Sequence, residues 1–283
     1  MFALAFDEAV ADQMTNYAPF RISEQEAQNE EIIFSLTLTD DPLTDGDITP
    51  VFSDVSEEDM PRIEVNRVSG DAWLFCVAVT KSAPINCRLL ASADFKQARL
   101  HILANDYRFA INNAVMLLFA FSTVQKKTLE MHAAVVVRDE KGYLFLGKSG
   151  TGKSTHARQW LQAFPDSWLL NDDNPILRLT EQGLRVYGSP WSGKTPCYLN
   201  RSAAVGGIIK LSQAPHNEAR RMTTSEAYAY MLSSSSGLKI DPVTMDAMYE
   251  TISELVLRYP VHHLDCLPNT DAAEVCYKAI TTL

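Results

Sequence analysis

Near its middle the chain reads Gly147-Lys148-Ser149-Gly150-Thr151-Gly152-Lys153-Ser154-Thr155. This run fits the pattern GxxxxGK[ST], which is typical of the Walker A phosphate-binding loop. The apolar residues from Tyr143 to Leu146 precede it as a candidate buried strand, and a segment with helical spacing follows it to Phe164. A strand, a glycine-rich turn and a helix in this order are the context that the motif requires, whereas a plain glycine-rich turn is the alternative. The pattern predicts a nucleotide-binding α/β domain.

The residue types of this loop suit a phosphate chain. Glycines at Gly147, Gly150 and Gly152 allow backbone N–H groups to approach phosphate oxygens closely. We expect the Lys153 ammonium to bind the β- and γ-phosphates and the Ser154 hydroxyl to bind magnesium. The predicted ligands are therefore ATP and Mg²⁺, with ADP or pyrophosphate as alternative phosphate donors. The predicted binding residues are Gly147, Lys148, Ser149, Gly150, Thr151, Gly152, Lys153, Ser154 and Thr155.

Composition and charge narrow the class of protein. A length of 283 residues is enough for one large or two small domains, and 46% hydrophobic residues support a sizeable core. The net charge of −10, with basic residues clustered only in pairs, argues against nucleic acid or an anionic membrane as a partner. The five cysteines form no CxxC pair, which favours reduced core residues over a zinc site. We find no export signal or apolar run of 18 residues and expect a cytoplasmic protein.

The first 95 residues predict a small, β-rich module. Four segments alternate in the manner of half-buried strands, while 40–59 is rich in Asp, Thr, Pro and Gly and predicts a surface loop. We therefore expect an antiparallel sheet in residues 1–95 and a linking segment, 96–128, whose helix runs from Asn105 to Thr123. Residues 129–283 would then form the nucleotide-binding domain. The four predicted strands are Ile32 to Thr39, Ile63 to Val68, Trp73 to Thr80 and Ile85 to Ala91.

The strand that feeds the glycine-rich loop is predicted to be one arm of a hairpin. A second apolar segment, Met131 to Val137, lies upstream and is separated from Tyr143 only by the polar residues 138–142. Parallel neighbours need a crossover of about a dozen residues or more, so these two strands must pair antiparallel. The pattern predicts a mixed sheet.

Two acidic residues follow the next apolar strand. Trp168-Leu169-Leu170 leads into Asn171-Asp172-Asp173, one helix length beyond Lys153. A magnesium site needs one carboxylate near the metal, while a second carboxylate remains free to take a proton. An Asp-rich turn before Pro175 is the alternative.

Several downstream features leave two interpretations open. The turn from Gly188 to Thr195 contains a second Ser-Gly-Lys-Thr string, so it is either an active-site wall with Lys194 near phosphate or a surface turn. Trp191 either stacks on a base or fills the core. The polar link from Ser233 to Gly237 is a tolerated loop or a lid on the acceptor side. Helices are expected at Ser225 to Leu232, Val243 to Tyr259 and Asp271 to Ile280, with a strand at Val261 to Leu264.

Taken together, the hairpin, the GxSGxGKS loop and the Leu-Leu-Asn-Asp-Asp strand end resemble the kinase domain of HPr kinase/phosphorylase, whose fold phosphoenolpyruvate carboxykinase shares. The resemblance covers roughly Leu129 to Leu211 and includes His132, which lies 15 residues before Gly147. On its own, His132 is better interpreted as a core histidine, and only the spacing match makes a role in the site an equal alternative.

This resemblance implies a mixed-sheet P-loop domain and phosphoryl transfer to a hydroxyl, classically that of a serine in a protein, peptide or small metabolite. It implies Asp172 as the proton acceptor, His132 as the residue that tunes Asp172, and Ser154 and Asp173 near magnesium. It also favours a homo-oligomer. Thr155 replaces the Glu of the HPr kinase pattern, and a phosphorylase activity is not expected. The alternatives are a nucleotide-sensing module without turnover and a carboxykinase-like lyase.

Overall fold

The computed structural model describes residues 1–54, 61–69, 71–193 and 195–282 and divides the chain into two compact units, Met1–Thr123 and Val124–Leu283. Both units are mixed α/β structures, each with its own mixed sheet.

The first unit is built on a seven-stranded sheet in the order β1-β2-β7-β6-β5-β4-β3. Strands β1, β2 and β7 pair in parallel, and the other neighbours pair antiparallel. The elements are β1 (Phe2–Ala5), α1 (Glu8–Ala11), a 3-10 turn (Thr15–Phe20), α2 (Glu24–Ala27), β2 (Phe34–Leu38), β3 (Thr49–Asp54), β4 (Arg62–Val68), β5 (Ala72–Ala78), β6 (Ile85–Ala91), β7 (Gln97–Ile102) and α3 (Tyr107–Thr123). Helix α3 contacts β2, β6 and β7 and buries Ile111, Val115 and Leu118.

Three expectations for this unit were wrong. The predicted antiparallel sheet is mixed, because β2 pairs in parallel with β1 and with β7, both times between residues far apart in sequence. The predicted loop 40–59 contains strand β3, whose Pro50 is tolerated because β3 is the sheet edge. Residues Gln97–Ile102, placed in the linking segment, form strand β7, and helix α3 belongs to the first unit.

One helical segment corrects the expectation that no apolar run of this length exists. Tyr107–Lys126 spans 20 residues and satisfies a length-and-composition criterion for crossing a membrane. Half of the segment is buried inside the structure. The core helix of a soluble protein satisfies the same criterion, so the segment is weak evidence for a membrane span.

The second unit contains a nine-stranded sheet. Its main order is β11-β9-β10-β14-β13-β12-β8, with β16 also beside β14 and β15 beside β16. The elements are a 3-10 turn (Val124–Lys126), β8 (Thr128–Glu130), β9 (Ala133–Arg138), β10 (Lys141–Leu146), α4 (Lys153–Ala163), β11 (Trp168–Asp173), β12 (Ile176–Thr180), β13 (Gly183–Tyr187), β14 (Ser202–Gln213), β15 (Glu218–Arg221), α5 (Thr224–Ser234), α6 (Pro242–Arg258), β16 (Val261–Cys266) and α7 (Thr270–Thr281).

The expected hairpin and mixed sheet are confirmed in this unit. Strands β9 and β10 pair antiparallel, with Leu146 opposite Ala133, whereas β10 and β14 pair in parallel, with Leu146 opposite Lys210. The carboxyl ends of β10, β14 and β16 therefore lie at one edge of the sheet, where the glycine-rich loop begins. The start of that loop therefore lies between strand β9 on one side and strand β14 on the other.

Alternation along β10 separates two apolar layers. Leu144 and Leu146 pack in a core with residues of α5 and α6, such as Met231 and Ile252. Tyr143 and Phe145 face the other side, where residues of α4 and α7 cover the sheet. Since side chains alternate between the faces of a strand, each polar residue at the sheet edge can be assigned to one helical layer.

Candidate functional site

The glycine-rich loop connects β10 to α4 in an open conformation. Gly150 and Gly152 have φ values of +78° and +108°, which favour glycine, and an added Cβ at either position would meet no atom within 4 Å. Lys148 and Ser149 are exposed, and Thr151 donates its backbone N–H to the Lys148 carbonyl over 3.1 Å. The loop thus presents open backbone at the start of a helix, a setting suited to anions.

The Lys153 side chain is buried at the base of this loop. Its ammonium donates to the Gly147 carbonyl over 2.9 Å and contacts His132 Nε2 over 2.8 Å. Burial lowers the pKa of Lys153, and the carboxylates of Asp173 and Asp172 oppose that shift. A charged ammonium has three N–H donors, so these two bonds leave one for a ligand.

His132 lies between Lys153 and Asp173. Its Nδ1 is 3.1 Å from Asp173 Oδ1, on the other side of the ring from Lys153. Burial lowers the pKa of the imidazole, Asp173 opposes the shift and Lys153 adds to it. Because an ammonium can only donate, Nε2 accepts and the proton of the neutral ring sits on Nδ1, facing Asp173.

Asp172 makes a different contact. Its Oδ1 accepts a hydrogen bond of 2.7 Å from Ser154 Oγ, and its Oδ2 is buried with no hydrogen-bond partner among the described residues. Asp172 is opposite Ala134 and Asp173 opposite Ala133, so the two carboxylates start from opposite faces of β11. The expected pairing is therefore corrected: His132 contacts Asp173, and Ser154 contacts Asp172.

The second Ser-Gly-Lys-Thr turn lies against this acidic pair. Gly193 donates its N–H to the Asp172 carbonyl, and Ser192 forms an antiparallel bridge with Asp173. A Cβ on Gly193 would lie 3.2 Å from the Asp173 Cβ, which is closer than side chains normally pack. The turn is thus a wall of the candidate site. Lys194 lies outside the described residues.

A buried amide holds this wall in place. Asn171 is fully buried and donates to Ser189 Oγ over 3.2 Å and to the Trp191 carbonyl over 3.0 Å, while its Oδ1 accepts from the Asn174 backbone over 2.9 Å. Trp191 is 4% exposed, which favours the core interpretation over stacking on a base. Asp173 adopts a φ of +136°, a strained value for a residue with a side chain.

Glu130 is a neighbour that the sequence analysis missed. Both of its carboxylate oxygens are buried without a partner among the described residues. Burial is the larger cause, and repulsion from Asp173 the smaller one, that raise the pKa of Glu130 to about 8. A glutamate inside the otherwise apolar strand segment Leu129 to Met131 is the signal that could have revealed it.

Backbone hydrogen bonds from the end of helix α5 and the residues after it hold the backbone at His132. His132 donates its backbone N–H to the Ser234 carbonyl over 2.9 Å, Met131 pairs with Ser235, and the Ser236 N–H bonds to the Glu130 carbonyl over 2.9 Å. The link from Ser233 to Gly237 is therefore tied to the β8–β9 junction. These bonds disfavour a freely moving lid.

The remaining predicted residues lie in or beside the loop. Thr155 Oγ1 accepts a hydrogen bond from Arg158 over 3.3 Å. Gln213, at the end of β14, donates to the carbonyls of Gly150 and Thr151 over 3.2 and 3.3 Å. His156 is a core residue, because burial lowers its pKa to about 4 and Trp160 donates to its Nε2 over 3.0 Å.

The residues present fit a magnesium ion. A buried, unpartnered carboxylate oxygen on Asp172 and the adjacent Ser154 hydroxyl are oxygen donors of the type that Mg²⁺ prefers. Within the described ranges, no group of three or more His, Cys, Asp and Glu side chains gathers to hold a metal. Mg²⁺ commonly uses one or two carboxylates and completes its shell with water and phosphate.

Comparison with protein-family models assigns a family to the chain. A search of curated proteins finds no match to the chain. A protein-family model described as "ScmC: SynChlorMet cassette protein ScmC" matches residues 104–258, which is more than half of the 283 residues. The chain therefore belongs to the ScmC family.

Proposed function

We propose that this chain is an ATP- and magnesium-dependent kinase that transfers a phosphoryl group to a serine or similar hydroxyl of a protein, peptide or small metabolite. The observation that carries the proposal is the convergence of Lys153, His132, Ser154 and the two aspartates at the end of the glycine-rich loop. Phosphoryl transfer depends mainly on positioning and charge neutralisation, and these side chains supply both.

The proposal includes a fold of the phosphoenolpyruvate carboxykinase/HPr kinase type for the second unit. The antiparallel hairpin that feeds the glycine-rich loop supports it, as does the acidic pair at the end of a strand next to that hairpin. It also includes a cytoplasmic location and a homo-oligomer. Nucleic acid and membranes are not expected partners of an acidic chain with this charge distribution.

The contacts exchange the roles first expected for the two aspartates. Asp173, held by the Nδ1–H of His132, is the better placed proton acceptor because the ring fixes its carboxylate. Asp172 and Ser154 would hold magnesium, which when bound neutralises phosphate charge. Lys153 would give its remaining N–H to a phosphate oxygen.

The proposed reaction then proceeds at named atoms. The acceptor hydroxyl gives its proton to the Asp173 carboxylate as its oxygen bonds to the γ-phosphorus. The bond from the γ-phosphorus to the bridging oxygen breaks, and ADP leaves with that electron pair. His132 keeps its own proton and positions Asp173, since Lys153 occupies the opposite ring nitrogen.

Calorimetric titration with MgATP tests the nucleotide site. We expect Lys153→Ala to weaken binding about 10- to 100-fold, because a charge-assisted hydrogen bond contributes roughly 1.5–3 kcal/mol. Lys141→Ala is the matched control, since Lys141 is exposed at the opposite end of β10. Equal affinities for wild type and Lys153→Ala would overturn the assignment of the loop.

A further inference from the structure

A second polar cluster lies on the other side of strand β10 from His132. Lys210 is on β14, directly opposite Leu146, the last residue before the glycine-rich loop. Ile208 of the same strand packs in the α5/α6 layer, so Lys210, two residues later, points to that layer too. Gln213 ties the end of β14 to the loop. Lys210 therefore lies beside the start of the candidate phosphate site.

Lys210 is half-buried as a residue, and its ammonium makes no ion pair with the described residues. It sits over the Tyr230 ring of α5, 4.9 Å from the ring centroid. Tyr230 lies one helical turn before Ser234 in α5, and the Ser234 carbonyl accepts from the His132 backbone. A row of contacts thus runs from Lys210 across the end of β10 to the proposed catalytic residues.

Hydrogen-bonding and charged groups of β14, β15 and β16 lie near this cation. Ser212 Oγ is 2.8 Å from His263 Nε2, which is also 3.4 Å from Asp265 Oδ1. Arg220 of β15 is already paired with Glu226 through two hydrogen bonds of 3.1 and 2.9 Å. The unpaired positive charge is therefore on Lys210, with the Ser212 hydroxyl beside it on the same face of β14.

We propose that Lys210, with Ser212 and Tyr230, forms a subsite for an oxyanion carried by the phosphoryl acceptor, either a carboxylate or a phosphate. An ammonium on a half-buried residue that makes no ion pair with the described residues is well suited to bind an anionic ligand. The statement that the anion belongs to the phosphoryl acceptor rests on the proposed function. The existence of an anion-binding site at Lys210 does not. The acceptor would then lie over the end of β10, with its hydroxyl toward Asp173.

The first test is independent of catalysis. Lys153→Ala removes the main phosphate-binding cation, and ³¹P line broadening then measures inorganic phosphate binding to the remaining site. We expect Lys153→Ala/Lys210→Met to bind phosphate at least about 5-fold more weakly than Lys153→Ala, and Lys153→Ala/Lys141→Met to match it. Equal binding by both double variants, or no binding by Lys153→Ala, would overturn the subsite.

Competition identifies the kind of oxyanion. L-lactate supplies a carboxylate without an amine, and we expect it to displace phosphate from Lys153→Ala but not from a Lys210→Met background. If lactate does not displace phosphate, the site does not bind carboxylates, and the acceptor would be one that carries a phosphate group. In the active protein, Lys210→Met should raise the acceptor KM about 10-fold at unchanged ATP KM. If Lys210→Met abolishes phosphate binding but the wild-type protein labels no acceptor, the anion site stands and only the kinase assignment is contradicted.

Discussion

At the scale of single residues, His132 separates the two aspartates into different roles. The His132 Nδ1 contacts Asp173, whereas Asp172 accepts a hydrogen bond from the Ser154 hydroxyl. Local sequence pattern suggested Ser154 and the two aspartates, whereas only the resemblance to HPr kinase added His132 and paired it with Asp172, which the contacts do not support. The reason is that strand alternation and a bulge between Leu169 and Asn171 decide which carboxylate faces which neighbour.

Replacing each aspartate with asparagine should therefore impair a different step of the proposed reaction. Asp173→Asn removes the proposed proton acceptor, so turnover should fall about 10²- to 10⁴-fold while MgATP affinity is kept. Asp172→Asn should instead raise the magnesium concentration needed for nucleotide binding, because it removes a carboxylate ligand. Magnesium titrations of nucleotide binding and of turnover check both. Identical magnesium dependence for the two variants would contradict the assignment.

Glu130 gives a pH-dependent prediction for stability. Its folded-state pKa of about 8 lies above the ordinary value of 4.5, so the folded protein holds a proton that the unfolded chain loses between these values. The contribution of Glu130 to stability is full below pH 4.5 and is lost as the pH rises toward 8.

Glu130→Gln should remove this component. Between pH 5 and pH 8 the free energy of unfolding of wild type should fall relative to that of the variant by on the order of a few kcal/mol. Urea unfolding at several pH values, followed by tryptophan fluorescence, measures the difference. Parallel pH profiles for the two proteins would show that Glu130 is already ionised in the folded state.

At the scale of elements, most helices and strands of the second unit were predictable from periodicity and capping. Helix α6 spans Pro242–Arg258, close to the expected Val243 to Tyr259, and begins after Asp241, whose side chain accepts a hydrogen bond from the Thr244 backbone. Strands β14 and β15 were missed because their pairing partners are remote in sequence, and the glycine pair in β14 interrupts its apolar run. Strands β12 and β13 were missed although they pair with each other as a local hairpin, with Thr180 opposite Gly183. The wall formed by residues 188–193 was visible only as a motif with two interpretations.

The turn at Gly193 should control the position of Asp173. A Cβ in Gly193→Ala would press on Asp173 at 3.2 Å, so the Asp173 side chain would have to move relative to His132 by a few tenths of an ångström. Because a misplacement of about 1 Å can cost about 10²-fold in rate, this smaller shift should lower kcat by roughly 3- to 10-fold while ATP KM changes little. Steady-state kinetics and thermal unfolding should be measured together. A loss of activity that merely follows a loss of folded protein would refute the positioning role.

At the scale of the whole molecule, the units have separate sheets and separate buried residues. The sequence suggested a division into a β-rich part and a nucleotide-binding part, but it placed β7 and α3 in a linker. Neither the parallel pairing of β1, β2 and β7 nor the packing of α3 leaves a local signal, since both join segments distant in sequence.

This division predicts that residues Val124–Leu283 fold alone. The fragment retains its nine strands, both apolar layers and every proposed contact to nucleotide. We expect cooperative unfolding by circular dichroism and MgATP affinity within about 3-fold of the full chain, because no proposed ligand is lost. An unfolded fragment, or a folded one that no longer binds nucleotide, would show that the first unit is required.

Transfer of label from γ-³²P-ATP, with magnesium, is the most direct test of the proposed kinase. Wild type and Asp173→Asn should be compared at equal nucleotide occupancy, with free serine, serine-containing peptides and fractionated host lysate as acceptors. We predict a labelled acceptor with wild type and almost none with Asp173→Asn. Normal nucleotide binding without label in any acceptor, repeated with pyrophosphate and ADP as donors, would contradict the kinase and favour a nucleotide-sensing module.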